Sequence, residues 1–234
     1  MKALIFAAGL GERMRPLTNH TPKPLLVAGG KPLIVWHLEK LAAMGVRDGV
    51  INTSWLADQF PQALGDGSQW GLRLHYSYEG TTPLETGGGM LHALPLLGDD
   101  EPFLLVNSDI WTDYDFARLP REPAGLAHLV MVDRPGHATN GDFALDDSGH
   151  VRADGSNLLT YAGLGIYRPA LLANWREAVA AEPGIAEEPP RFRLAPILKK
   201  AMPDDLISGE HHRDRWTDVG TPERLATLDA QLGG

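Results

Sequence analysis

The chain opens on Ala3-Leu4-Ile5-Phe6-Ala7-Ala8, six apolar or small residues that run straight into Gly9-Leu10-Gly11. A short apolar run that ends at glycines reads as a buried parallel strand delivering a tight loop. Gly9 and Gly11 let the backbone turn sharply and bring its N–H groups against an anion, and Arg13 and Lys23 add positive charge beside them. Two familiar phosphate motifs are excluded. Met14 stands where the third glycine of a dinucleotide fingerprint belongs, and no Gly-Lys-Ser/Thr triplet of a P-loop occurs. Taken alone, Gly9-x-Gly11 is also what a plain turn requires.

The next residues repeat a strand and helix rhythm. Apolar spacing predicts a helix over 31–44, with Pro32 near its first turn and Gly45 as its stop. A strand over 46–53, a helix over 55–64 and a strand over 71–78 follow. This alternation predicts an α/β, Rossmann-like doubly wound, mainly parallel sheet with right-handed crossovers.

A second glycine cluster, Pro83-Leu84-Glu85-Thr86-Gly87-Gly88-Gly89-Met90, leads into an apolar helix ending near Leu97. Three consecutive glycines imply that something passes close to the backbone, either a ligand or a tightly packed strand. Pro102-Phe103-Leu104-Leu105-Val106-Asn107-Ser108-Asp109 is an apolar strand that delivers a carboxylate at its C-terminal end. That edge of an open α/β sheet is where ligands bind. An Asp in this place can simply cap a helix; on the same edge as the glycine loop, it reads as a metal ligand facing phosphates.

Further along, a short helix over 114–119, a strand over 125–132 and a hairpin over 140–151 with a tight turn are expected. The strand 161–167 contains Gly163 and Gly165, which mark a bulge or a close approach. Helices are expected over 171–181 and 194–202. Arg191-Phe192-Arg193 between them is either a solvated face or a seat for an anionic substituent, since guanidinium matches carboxylate geometry. Thr221-Pro222 reads as the cap and first turn of a closing helix, and Asp218, three residues earlier, is not needed for it. His211-His212 reads as a surface pair, no histidine pair has metal-ligand spacing, and Ser108 lacks a nucleophile-elbow setting.

Composition narrows the partners. With 21 Lys and Arg against 30 Asp and Glu, the net charge of −9 repels nucleic acid polymers. A phosphate ligand must therefore be met by local positive charge and a metal. The absence of cysteine excludes disulfides and thiolate metal sites. No secretory-type leader and no run of about 18 apolar residues is visible, so no membrane partner and a cytoplasmic location are expected.

The pattern Gly9-x-Gly11-x-Arg13-x-x-Pro16-Leu17-Thr18-x-x-x-Pro22-Lys23-Pro24 resembles the signature loop of the nucleotidyltransferases that join a sugar 1-phosphate to a nucleoside triphosphate. Asn107-x-Asp109 looks like that family's metal-binding strand end, and Trp216-Thr217-Asp218-Val219-Gly220-Thr221 resembles its closing motif. The resemblance implies one nucleotidyltransferase domain over 1–234, mainly nucleotide-binding over 1–133, with a small antiparallel hairpin region for the sugar and a closing helix over 134–234. It implies a nucleotide site of Ala8, Gly9, Gly11, Glu12, Arg13, Lys23, Glu85, Gly88 and Asn107, with Arg13, Lys23 and Asp109 catalytic. Mg²⁺ would be held by Asp109 and Asp218. Asn140, Gly141, Asp142, Asn157, Gly163 and Arg193 would meet the sugar.

The chain departs from the family at Ser156-Asn157-Leu158-Leu159-Thr160, where many members carry Glu-Lys-Pro with a lysine for the sugar phosphate. The 83–89 loop, Gly141-Asp142-Phe143 and the 191–196 stretch look most like the family's uridylyltransferases of cell-wall recycling. UTP and an acidic sugar 1-phosphate are thus the expected substrates. A mannose-1-phosphate guanylyltransferase-like enzyme or another NDP-sugar pyrophosphorylase is one alternative, and a noncatalytic nucleotide-binding regulatory subunit is the second.

Overall fold

A computed structural model of the chain describes residues 1–233. In chain order it runs β1 (Lys2–Phe6), a small hairpin of β2 (Val27–Ala28) and β3 (Lys31–Pro32), α1 (Leu33–Ala43), β4 (Asp48–Thr53), α2 (Gln59–Leu64), β5 (Arg73–Tyr78), α3 (Glu85–Leu97) and β6 (Phe103–Asn107). The second half holds β7 (Ile110–Thr112), β8 (Ala127–Val132), β9 (Phe143–Leu145), β10 (Val151–Arg152), β11 (Leu158–Tyr167), α4 (Trp175–Ala178), α5 (Ala195–Ala201), β12 (Ile207–His212), β13 (Trp216–Asp218) and α6 (Pro222–Leu232). Among these residues no helix is long and apolar enough to cross a membrane.

The sheet follows the expected rhythm. β5, β4, β1 and β6 lie side by side and parallel, so their C-terminal ends share one edge. Alternate residues of these strands feed two cores, as the two-residue strand period requires. Leu4, Val50 and Leu105 pack with Met90, Ala93 and Leu97 of α3 on one face. Ala3, Ile5, Ile51, Leu104 and Val106 pack with Ile34, Leu38 and Leu41 of α1 on the other.

Beyond β6 the sheet turns antiparallel: β11 pairs with β6 and β8, the β9–β10 hairpin joins one end of β11, and β12 lies parallel to β8. The strand predicted over 161–167 is therefore longer and bulged, its register shifting between Tyr161 and Gly165, where Gly163 takes φ +75°.

Several elements differ from expectation. The 55–64 helix shrinks to Gln59–Leu64. The 171–181 helix breaks at Asn174, whose φ of −115° and ψ of 34° are not helical; asparagine competes with helix by bonding locally. β7, β12 and β13 carry no clear alternation, and neighbours distant in sequence supply their pairing. His211-His212 is not a surface pair: the His212 side chain is 3% exposed, with Nε2 2.9 Å from Asp113, and His211 meets Asp133.

His37 of α1 links this core to the sheet edge. Its Nε2–H donates to the Ile110 carbonyl at 2.9 Å, and the ring stacks on Phe116. Burial lowers its pKa from 6.5 to about 4, against the opposing pull of the Ile110 hydrogen bond. Folding therefore favours the neutral ring, so the stabilisation is complete above pH 6.5 and lost as pH falls through about 4. Urea unfolding between pH 7 and pH 4 should show the stability gap between wild type and His37→Gln shrinking by about 3 kcal/mol. A gap independent of pH would remove His37 as a source of acid sensitivity.

Candidate active site

The C-terminal edge of β1, β4 and β6 opens into a cleft of about 650 Å³. Residues 6–14 form one wall, with Lys23 and Pro24 beside them, and Asn107, Ser108 and Asp109 come from the end of β6. Gly9 has open space where a side chain would stand, so an anion can reach its backbone. Gly11 sits at φ +63°, a left-handed conformation glycine adopts freely, and a Cβ there would lie 2.8 Å from Thr18. The Thr18 hydroxyl donates to the Gly11 carbonyl at 2.7 Å and locks the bend. Ala8, Glu12 and Arg13 also line the cleft, as does Glu85, itself held at φ +62°.

Lys23 is nearly buried, its side chain 11% exposed, and Nζ donates to Asp109 Oδ2 at 2.7 Å. The loop's cation and the strand's carboxylate, 86 positions apart in the chain, thus meet at the cleft floor.

Strand pairing brings the backbone of Asp218 beside the end of β6, although its side chain does not itself line the cleft. β13 runs antiparallel to β7 with Asp218 opposite Ile110, and the Val219 N–H donates to the Asp109 carbonyl at 2.7 Å. The main chains at the two aspartates are therefore held next to each other. α1 supports this pair from behind: His37 holds Ile110, while Lys40 Nζ donates to the carbonyls of Thr112 at 2.7 Å and Tyr114 at 2.8 Å. Trp216 Nε1 ties β13 to the Ala162 carbonyl in β11. The Asp218 carboxylate itself is paired with Arg224 of α6, and His137 lies 3.1 Å away.

One group of site residues escaped the sequence reading. Asn52, at the end of β4, accepts from the Ala7 N–H at 2.6 Å and donates to Glu79 Oε1 at 2.6 Å; Glu79 Oε2 accepts from the Leu84 N–H at 2.8 Å. This relay joins the glycine loop to the start of α3. Burial raises the Glu79 pKa, against the lowering effect of its two hydrogen-bond donors. The signal was available, because Asn52 stands on the same strand-end edge that singled out Asp109.

The sugar-side expectations fare differently. Gly141 packs on β11, where a Cβ would lie 2.5 Å from the Leu158 carbonyl. The Asp142 carboxylate accepts from the Tyr161 N–H at 2.9 Å and sets the alignment of the hairpin. Asn140 and Asn157 are exposed, and neither lines the cleft. Gly163 makes room for the Asn107 side chain, 2.7 Å from where its Cβ would be. Arg193 is exposed outside the cleft, whereas Arg191 lines it and is paired with Glu187. Gly88 is also outside: its N–H donates to the Phe192 carbonyl at 3.0 Å, and a Cβ would lie 2.5 Å from the Pro190 carbonyl. Gly87 and Gly88 thus let residues 190–193 close against the start of α3, whereas Gly89 makes room for the Glu79 and Asn52 side chains.

Comparison with known proteins follows the same lines. Residues 2–152 match the nucleotidyl transferase family. The chain is 45% identical to an N-acetylmuramate alpha-1-phosphate uridylyltransferase of Neisseria meningitidis over 100% of its own length and 99% of that protein's. It is 32% identical to a protein of the same name from Caulobacter vibrioides, covering 98% and 96% of the two chains. A mannose-1-phosphate guanyltransferase of Aspergillus fumigatus is also 32% identical, over 97% of this chain and 63% of that one. In three dimensions the fold is shared with a Bacillus anthracis protein crystallised with sucrose and described as a candidate glucose-1-phosphate thymidylyltransferase, with a TM-score of 0.84 at 18% identity over 100% and 95% of the chains. With residues 2–152 matched by the family and a 45% identical relative matched from end to end, this chain belongs to the nucleotidyl transferase family.

Proposed function

We propose that the cleft transfers the uridylyl group of UTP to N-acetylmuramate 1-phosphate, giving the UDP-sugar and pyrophosphate in the recycling of cell-wall sugar. The observation that carries this reading is the convergence of Lys23, Asp109 and the 9–13 loop on one cleft floor, with Asp218 paired alongside. Both substrates are anionic cytoplasmic metabolites, which suits a cytoplasmic enzyme.

The reaction needs an oxygen nucleophile, an in-line leaving group and compensation for developing negative charge. A sugar phosphate is already ionised, so no general base is required. One of its oxygens bonds to the α-phosphorus while the bond from that phosphorus to the β-phosphate oxygen breaks. The N–H groups around Gly9 and Gly11 cradle the triphosphate, and exposed Arg13 faces the departing pyrophosphate. Lys23, fixed by Asp109, holds the α-phosphate against the incoming phosphate. Glu85 and the 79–84 turn, held by the Asn52–Glu79 relay, form the nucleoside end.

Asp109 and Asp218 fit Mg²⁺. They are two hard oxygen donors on paired main chains, and among the described residues no group of three or more acidic or histidine side chains forms a larger ligand set. Mg²⁺ keeps several waters and phosphate oxygens and asks for only one or two carboxylates. When bound there it supplies Lewis-acid neutralisation of the phosphate oxygens.

Lys23→Ala should lower turnover on the order of 10²-fold or more, as expected for a lost charge-stabilising donor; steady-state pyrophosphate release measures it, and near-normal turnover would take Lys23 out of the mechanism. The substrate pair is read by comparing UTP, GTP, dTTP and CTP with N-acetylmuramate, glucose and mannose 1-phosphates. UTP with N-acetylmuramate 1-phosphate is the expected best pair, GTP with mannose 1-phosphate would replace this assignment, and nucleotide binding without Mg²⁺-dependent turnover would indicate a noncatalytic subunit.

A further inference from the structure

The Asp218 carboxylate already has a partner. Arg224 Nη1 donates to both of its oxygens, and the same Nη1 lies 2.7 Å from His137 Nε2. His137 belongs to the loop between β8 and β9. The guanidinium thus sits where β13, α6 and that loop meet, next to Gly220 on the cleft lining. Gly220 is required for this: a Cβ there would overlap Arg224 Nη2 and stand 3.1 Å from both Arg224 Cζ and Asp218 Oδ2.

Arg224 is not needed to fasten α6. Thr221 caps the helix by accepting from the Arg224 backbone N–H, Asp229 accepts from the Gly29 N–H at 2.8 Å, and Leu225 and Leu228 are buried against Leu33 and Trp111. The side chain, 20% exposed, is instead committed to the carboxylate.

Charge then sets the order of events. Asp109 is matched by Lys23 and Asp218 by Arg224, so the pair of carboxylates is already neutralised. A divalent cation that takes the Asp218 oxygens competes with the guanidinium bonded to both of them, and binds there only as that partner moves away. Lys23 is the more buried of the two, whereas Arg224 reaches in from the first turn of a surface helix on a long side chain. A displaced guanidinium keeps its planar fork of donors, which matches a phosphate as well as it matches a carboxylate. Gly220, against which the Arg224 guanidinium packs, lines the cleft in which the acceptor phosphate would react.

On the reading of function given above, we propose that Arg224 is an acceptor-binding cation held in reserve by Asp218: the carboxylate exchanges Arg224 for the metal, and the released guanidinium receives the phosphate of the sugar 1-phosphate. The reserve position keeps Asp218 paired in the resting cleft and makes the cation available only when the site is metal-loaded.

The test uses the full chain with Arg224→Gln and Arg224→Lys, in two measurements. Calorimetric titration of Mn²⁺ without nucleotide should show Arg224→Gln binding the ion about tenfold more tightly than wild type, because its competitor is gone. Steady-state assays at saturating metal should show its KM for N-acetylmuramate 1-phosphate raised about tenfold or more, with the KM for UTP changed less than twofold and the Lys variant in between. Unchanged or weaker Mn²⁺ binding overturns the exchange, and an unchanged acceptor KM overturns the acceptor role. A variant that weakens Mn²⁺, UTP and acceptor together marks Arg224 as a mere pin for α6 and overturns both. If wild type turns over no sugar 1-phosphate, the functional reading fails separately, while the Mn²⁺ titration still decides whether Arg224 competes for Asp218.

Discussion

The site depends on one short antiparallel pairing. β7 and β13 are three residues each, yet their register puts Asp218 opposite Ile110 and the Val219 N–H on the Asp109 carbonyl. A slip by a single residue would turn Asp218 to the other face of the ribbon. The register is held from three directions: His37 and Lys40 grip β7 from α1, Trp216 ties β13 to β11, and the capped α6 follows directly. Lys23 neutralises the Asp109 carboxylate and Arg224 that of Asp218. Position is thus fixed by backbone bonds and charge by side chains.

Around this pair the parallel sheet does what its topology dictates. Loops from β1, β4 and β6 all emerge at the carboxyl edge, so phosphate loop, relay asparagine and carboxylate arrive together. The Asn52–Glu79 relay couples the glycine loop to the start of α3 through buried hydrogen bonds. Such bonds gain strength from low local dielectric and become costly if one member is lost. The relay thereby ties the glycine-loop wall of the cleft to the wall at the start of α3.

Much of this was legible in the sequence where the chemistry rides on local spacing. The 9–23 loop, the strand ending at Asp109 and the capped helix after Asp218 each declare themselves within a few residues. What the sequence hides is non-local. β12, with Gly209, His211 and His212, has no alternation to read, and pairing with β8 makes it a strand. The glycines of the sugar half are ambiguous for a physical reason: Leu158 presses on Gly141 and Asn107 on Gly163, and backbone packing and ligand approach leave the same mark in sequence. Gly88 repeats that ambiguity against Pro190, and Arg191 rather than Arg193 reaches the cleft because of how the 190–193 segment closes on α3. Arg224 carries no local signal in the sequence, and only the fold puts Asp218 and Gly220 beside it.

The central claim, that strand pairing brings two distant carboxylates onto one cation, is tested most directly by anomalous diffraction from crystals grown with Mn²⁺ and a non-hydrolysable UTP analogue. The account predicts an ion within bonding distance of both Asp109 and Asp218, with the remaining positions filled by phosphate oxygens and water. An ion bound through Asp109 alone, with Asp218 still paired to Arg224, or no ion at that strand pair at all, would contradict it.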